Sequence, residues 1–402
     1  MKILDITSRL PYPLIDGARI CMYQLVQGLY SHGHSVHVVA LEEEESDPGP
    51  LDQFAQLHVV RISNPPKVIG ALKTLARSEP YTQLKRERKD VYDLLDRLHA
   101  CERFDLVIAD QAHVAQYGAY MKRRYGLPYI LRCHNVEHEI YRRHTATEKN
   151  PFMHWYVGLQ ADRWARFEQE QMRLADACIA ITRRDEDTIR RLAPGVRTLT
   201  VPAAVDLQAF PYTDPAQRES NSMIMLGNMG WPPNRNSVLW FTQEILPLVM
   251  QRRPDAVCYV VGDNPPLEQL PRPSENMRIE GRVESIAPYY GRIAIGLIPL
   301  NVGGGMRVKM VEMMASGMPI VSTGQGAEGN EAVPGEHYVR GDTPEEFAAG
   351  VIRLMNDSAE RERIARAARE FVAATYSTEQ TSLRVEELMH DVTAPNTRRV
   401  GA

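Results

Sequence analysis

Twice along this chain, short apolar segments alternate with segments of helical spacing, and that alternation restricts the fold more than any other feature. KILDI is a short apolar run, and TSRLPYPLIDGA is a loop broken by prolines. RICMYQLVQGLYSHG then carries apolar residues at helical spacing up to Gly33, and HSVHVVAL is a second strand. Two strands joined through a helix in this way run parallel. LHVVRI, FDLVIAD, PYILRC and ACIAIT continue the pattern, which predicts a doubly wound α/β domain. VPAAVDLQAFPYTDPAQRESN, rich in proline and polar residues, interrupts it. SMIMLGNM, AVCYVVGD, MRIEG, IAIGLIPL and PIVST then begin it again, with NSVLWFTQEILPLVMQ the clearest helix among them. At 402 residues the chain exceeds the size at which one hydrophobic core keeps growing. Two Rossmann-like domains are therefore expected, residues 1–205 and 206–376, followed by a helical ending and a loose tail.

Composition removes several classes. A net charge of −4 argues against a general nucleic-acid binder. The five cysteines form no CxxC pair, which fits a reducing compartment and neither a disulfide framework nor a zinc knuckle. The start, MKILDITSRL, places Asp5 inside its apolar stretch and lacks a signal-peptide core, and no apolar run is long enough to span a bilayer. A cytoplasmic location is expected, with contact at the inner face of the membrane left open.

The strongest local signal is NVGGGMRVKMVEMMASGMPIVST, residues 301–323, in which Gly303, Gly304 and Gly305 lead toward a helix bearing Arg307, Lys309 and Glu312. Glycines before a helix let backbone N–H groups approach an anion, and the helix start favours negative charge. Two cations at that end oppose the macrodipole, so an anion is expected between them. On a helix begun near Met306, Gly305, Lys309, Glu312 and Ser316 share a face at about 100° per residue, while Met306, Met310 and Met313 form another. Lys309 suits a phosphate there, and Glu312, too far along to cap the helix, suits a pair of ribose hydroxyls. The stretch reads as a nucleoside-diphosphate site.

The ordered set PYPLIDGARICMYQLVQGLYSHGHSVHVV, HNVEHE, VPAAVD, LGNMG, VVGDNPP, GRVESIAPYY and PLNVGGGMRVKMVEMMASGMPIVST resembles the family-4 glycosyltransferases of the GT-B fold over nearly the whole chain. The resemblance implies retaining transfer of a hexosyl group from a nucleoside-diphosphate sugar to an acceptor hydroxyl, in polysaccharide, glycolipid or other glycoconjugate synthesis. It implies a donor-binding C-terminal domain and an acceptor-binding N-terminal domain facing a cleft. C-terminal helices, 377–395 among them, would cross back to the first domain. No cofactor and no metal are required. The implied partners are the nucleotide-sugar donor and a sugar, lipid-linked or other hydroxyl acceptor, with no nucleic acid. By the same resemblance Gly17 and the loop at Gly227 and Asn228 lie near the donor phosphates, Arg282 and Val283 lie beside the base, and His134 contacts the donor sugar. Asp110 and His113, beyond another strand end, either face the acceptor or cap the helix that follows.

The sequence departs from the family at three positions. Gly304 stands where the first of two paired glutamates is usual, and Asn228 and Pro233 stand where an arginine and a lysine usually bind the diphosphate. Arg307 and Lys309 are expected to supply the missing charge.

His134, Glu137 and His138 also spell the H-x-x-E-H pattern of inverted zinc peptidases, but His134 closes a strand and no third ligand follows. Neither domain's first strand leads into G-x-G-x-x-G, which counts against a dinucleotide oxidoreductase. A nucleotide-sugar epimerase and a non-catalytic nucleotide-sugar binding protein remain as rivals. Residues 65–81 carry Lys67, Lys73 and Arg77 among Val68, Ile69, Leu72 and Leu75, either a cationic surface for lipid or a solvated loop. The glutamates at 42–45 read as an exposed loop.

Overall fold

A computed structural model describes residues 1–14, 16–43, 47–62, 79–84, 86–302 and 305–394. Most of residues 65–81 thus lies outside the described residues. The chain divides into two compact units: Met1–Ala203 joined by the chain from Thr381 onward, and Ala204–Gln380.

The first unit is built on seven strands: β1 (Lys2–Thr7), β2 (Ser35–Glu42), β3 (Gln56–Arg61), β4 (Leu106–Asp110), β5 (Tyr129–Cys133), β6 (Ala177–Ala180) and β7 (Arg197–Thr200). Their order is β3-β2-β1-β4-β5-β6-β7, every neighbouring pair parallel. The second unit holds β8 (Glu219–Leu226), β9 (Val257–Val261), β10 (Met277–Gly281), β11 (Ile293–Ile298), β12 (Ile320–Ser322) and β13 (Val339–Arg340). These are again all parallel, in the order β10-β9-β8-β11-β12-β13. Parallel sheets are covered on both faces, and each unit accordingly has two apolar clusters.

Each sheet reverses its direction of winding beside its first strand. β1 lies between β2 and β4, and β8 lies between β9 and β11. The loops leaving β1 and β4 therefore diverge, as do those leaving β8 and β11, and each pair opens a crevice at the carboxyl ends of the strands. Two strands escape the periodicity. β7 is short, half-exposed and alternates polar with apolar residues at a sheet edge, and β13, at the edge of the other sheet, is only two residues long.

The helix Gly17–Ser31 starts at Asp16, whose carboxylate accepts hydrogen bonds from the N–H groups of Ala18 and Arg19, and the chain turns beyond it at Gly33 with φ of 79°. Gly28 within it leaves room for the helix Thr378–Thr393, because a Cβ there would meet the Ser382 Oγ at 2.1 Å. Val385, Leu388 and Met389 of that late helix join Ile3, Val26, Leu29 and Val36 in one cluster of the first unit. Around its rim His32 and His34 face Glu386 at 3.6 Å, and Arg197 pairs with Asp391 at 2.8 Å. Gly28→Leu should push this helix out of register and lower stability by about 1–3 kcal/mol, the usual cost of overpacking. Thermal melts, together with faster proteolysis within residues 381–394, would register it, and an unchanged melt would contradict the packing.

Candidate functional site

At the reversal point of the second sheet, the turn after β8 is fastened to the turn after β9. Gly227 N–H donates to Val261 O at 3.1 Å and Met229 N–H to Asp263 O at 2.8 Å. Gly262, at φ of 137°, lies so close that a Cβ would come within 2.0 Å of Gly227 O, so neither turn has room for a side chain there. Asn228 Oδ1 accepts from Gly230 N–H at 2.8 Å and from Asn264 Nδ2 at 3.2 Å. Asn228 is thus a turn-stabilising side chain in addition to lining this lip of the crevice.

The other lip is the chain after β11. Lys309 reaches across from it, donating to Leu226 O at 2.6 Å and to Asn234 Oδ1 at 3.1 Å. Two of its three N–H groups are thereby used, and one is left for a ligand. Burial, and next the Arg307 charge, push the Lys309 ammonium down to about 8. Glu312, one turn further along the same side, accepts from the Tyr290 hydroxyl at 2.7 Å, and burial raises its pKa.

The helix itself begins later than the sequence suggests, at Val308 and not near Met306. Gly305 has φ of 78°, a left-handed value, and Arg307, at φ −92° and ψ 88°, is the residue before the helix. Ser316 lies beyond the last turn. The expected four-residue polar face therefore contracts to Lys309 and Glu312, with Met310, Met313 and Met314 on the buried side. Arg307 is buried, its Nη1 donating to Gly305 O at 3.3 Å, and burial lowers its pKa against the opposing pull of Glu328. Gly303 and Gly304 lie outside the described residues. Arg282, after β10, is 79% exposed and 3.9 Å from Asp263, while Val283 packs against the core.

In the first unit, His134 follows β5 and its Nε2 lies 2.5 Å from Asp110 Oδ1. Asp110, the last residue of β4, is fully buried and also takes a hydrogen bond from Arg132 Nη1 at 3.0 Å. The carboxylate therefore neither faces an acceptor nor caps the following turn. It holds His134 and leaves Nδ1 as the ring nitrogen for a ligand. Burial would raise the Asp110 pKa, but Arg132 and His134 outweigh it and hold it below the usual range. Asp5 on neighbouring β1 behaves oppositely: burial, then the Asp110 charge, lift it well above the usual range. Burial thus favours the neutral form at Asp5, while the two cationic partners favour the charged form at Asp110. At the start of the helix Gly17–Ser31, Asp16 already occupies the position where a donor phosphate was expected beside Gly17.

The helix Glu137–Thr147 starts at once after His134. Glu168 receives the Glu137 N–H at 2.6 Å and the His138 N–H at 3.1 Å, and its Oε2 lies 2.8 Å from His138 Nδ1. His134 and His138 thus go to separate carboxylates, and no trio of His, Cys, Asp or Glu among the described residues is arranged around a metal.

Sequence reasoning overlooked Glu137 as a site residue in its own right. His113 Nδ1 faces its Oε1 at 3.9 Å, with the Trp164 ring edge-on to the imidazole. Burial, then Glu168, lift Glu137 to about 7, and burial, then Arg86 and Arg9, drop His113 to about 3. Nearby, a polar cavity of about 280 Å³ is lined by Ser8, Arg9, Arg19, Glu42, Glu43 and Arg86, with Leu41. Glu42 is buried, contrary to the exposed loop expected of 42–45, because it accepts the Leu10 N–H at 2.7 Å and faces Arg19 at 3.7 Å. The sequence signals for Glu137 were its position just beyond a strand end and its place in HNVEHE, and Arg86 in KRERKD carried none.

Two parallel-sheet units, each with a polar crevice where its winding reverses, are the architecture of GT-B glycosyltransferases. Family models match on both: a glycosyl transferase 4-like domain over residues 16–204, and glycosyl transferases group 1 over residues 220–357. The chain belongs to this glycosyltransferase family and is an enzyme of that class. It is similar, at 16% identity and a TM-score of 0.69, to sucrose-phosphate synthase from Thermosynechococcus elongatus, the match covering 98% of this chain and 100% of the other. Anabaena HepE, solved in complex with UDP, gives 14% identity and a TM-score of 0.68, covering 97% and 100%. A Klebsiella pneumoniae protein described as an uncharacterized 44.6 kDa protein in the cps region is 21% identical over 392 residues, 94% of this chain and 97% of that one.

Two predictions follow from the first-unit geometry. Asp110→Asn keeps the shape but loses the anion that orients His134, so kcat should fall about tenfold or more, roughly 1.4 kcal/mol in barrier, with a smaller change in KM. Equal kcat for the variant would remove the positioning role. A carboxyl raised from 4.5 to about 7 contributes stability below pH 4.5 and loses it as pH rises through 7. Glu137→Gln should therefore match the wild type near pH 4.5 and become more stable by about 3–3.5 kcal/mol at pH 8, at about 1.4 kcal/mol per unit. Denaturant melts at the two pH values measure it, and parallel curves would contradict it.

Proposed function

We propose that this glycosyltransferase moves a hexosyl group from a UDP-sugar to an acceptor hydroxyl with retention of configuration, in glycoconjugate or polysaccharide synthesis. The second unit binds the donor and the first the acceptor. The observation that carries this reading is Lys309, spanning the crevice at the reversal of the second sheet with Glu312 one turn beyond it. That pair suits a diphosphate followed by a ribose. The UDP in the HepE complex supports the choice of base, and the cps-region relative is in keeping with a polysaccharide product.

In the proposed reaction the bond from the anomeric carbon to the diphosphate oxygen breaks while the acceptor oxygen bonds to the same face of the sugar. Negative charge grows on the departing diphosphate, and donors fixed there stabilise the transition state more than the ground state. Those donors are the Lys309 ammonium, the Arg307 charge behind it and the backbone N–H groups of 305–308. The leaving phosphate takes the acceptor's proton, so no bound metal and no separate base are called for. Nδ1 of His134 serves the transferred sugar, held in orientation by Asp110. The reaction takes place at the cytoplasmic side of a membrane when the acceptor is lipid-linked.

A thermal-shift series with UDP-, GDP- and ADP-sugars tests the donor, because a bound ligand raises apparent stability by mass action. UDP-sugars should give the largest shift. Lys309→Ala should weaken UDP binding at least tenfold, since a charge-assisted hydrogen bond contributes about 1.5–3 kcal/mol. Glu312→Gln should weaken UDP while sparing inorganic pyrophosphate. Unchanged UDP affinity in both variants would overturn the site. Donor turnover only in the presence of an acceptor separates transfer from epimerisation and from mere binding.

A further inference from the structure

The helices Glu137–Thr147 and Pro151–Leu174 pack together through a three-residue connection, and the tip of this hairpin presents apolar side chains to solvent. Phe152 is 66% exposed, Trp155 52% and Met153 40%, and the two aromatic rings lie 5.9 Å apart. The buried side of the long helix runs through Val157, Gln160, Ala161 and Trp164. At about 100° per residue, Phe152 and Trp155 lie roughly 140–160° away from Val157, so among the described residues they face away from the core.

The tip is also firmly built. Asn150 caps the long helix by accepting from the Phe152 and Met153 N–H groups at 3.0 and 3.2 Å, and Glu148 accepts the Asn150 N–H at 2.8 Å. Around it Arg142, Arg143 and Lys149 are exposed, as are His144 and His154. Glu148, the one acid between residues 141 and 156, is half-buried and 4.0 Å from His144. The tip is thus cationic on a chain whose net charge is −4.

We infer that this hairpin tip docks on an anionic lipid bilayer, with Phe152, Met153 and Trp155 entering the headgroup boundary and Lys149 and Arg142 meeting lipid phosphates. Aromatic side chains favour that boundary, and basic residues beside an apolar helix face are drawn to anionic lipid. Size argues against a second copy of the chain. Large side chains cover about 150–250 Å² each, so this patch falls short of the ~800 Å² per partner of a stable protein interface. The inference stands apart from the donor site, since vesicle binding needs no nucleotide.

The test is co-sedimentation of the full chain with phosphatidylcholine vesicles, with and without phosphatidylglycerol. Wild type should pellet with the phosphatidylglycerol vesicles, less so as salt rises, and brominated lipid should quench its tryptophan fluorescence. The Phe152→Ser, Trp155→Ser double variant should lose at least tenfold in vesicle binding while keeping its melt and its UDP affinity. Lys149→Glu with Arg142→Glu should abolish the preference for anionic lipid. Vesicle binding retained by the double variant would assign any membrane contact elsewhere, residues 65–81 included, and overturn the inference. Absence of wild-type binding would overturn it too, as would a dimer in sedimentation velocity that the double variant dissolves.

Discussion

Parallel strands joined by right-handed crossovers leave the chain few ways to fill a sheet from its middle outward. Having laid β2 and β3 on one side of β1, it must return to the other side for β4, and it does the same around β8. Each return splits two neighbouring loops, and the split is where backbone N–H groups and strand-end side chains can face a ligand instead of each other. The paired turns at Gly227 and Gly262, the span made by Lys309, and the group around Asp110 all occupy ground that this geometry created.

What those places share is charge kept out of water. Lys309 gives up basicity to its burial and to the Arg307 charge while it donates to Leu226 O. Asp110 and Asp5 divide their burden differently: Arg132 and His134 pull the one down, and burial pushes the other up. Low dielectric makes these arrangements sensitive to the loss of any partner.

The alternation of strand and helix made both sheets legible, because a core strand such as LVIAD or YVV has no other place to go. β7 and β13 were hidden because edge strands this short carry too little apolar pattern. The helix start was misjudged by two residues, since nothing in GMRVK announces that Arg307 leaves the helical region while Val308 enters it. Lys309 and Glu312 could be paired from spacing alone, but the protein partners of Lys309 come from Leu226 and Asn234, far away in sequence. Asp110 reads as a strand-end acid, and only the fold reveals that it faces inward. Nothing in PFMHWY announces an exposed face, which is visible only once Val157 and Trp164 have claimed the buried side.

The contact between Gly227 and Gly262 separates what can vary from what cannot. It is backbone against backbone, so it owes nothing to side-chain identity except the absence of one at Gly262; at Gly227 a Cβ would meet the Asn234 side chain instead. Trp231, by contrast, rises from the same stretch into solvent, and exchanging it leaves the backbone contact beneath unmoved. Side chains at the rim can therefore change by small steps without each step risking the scaffold.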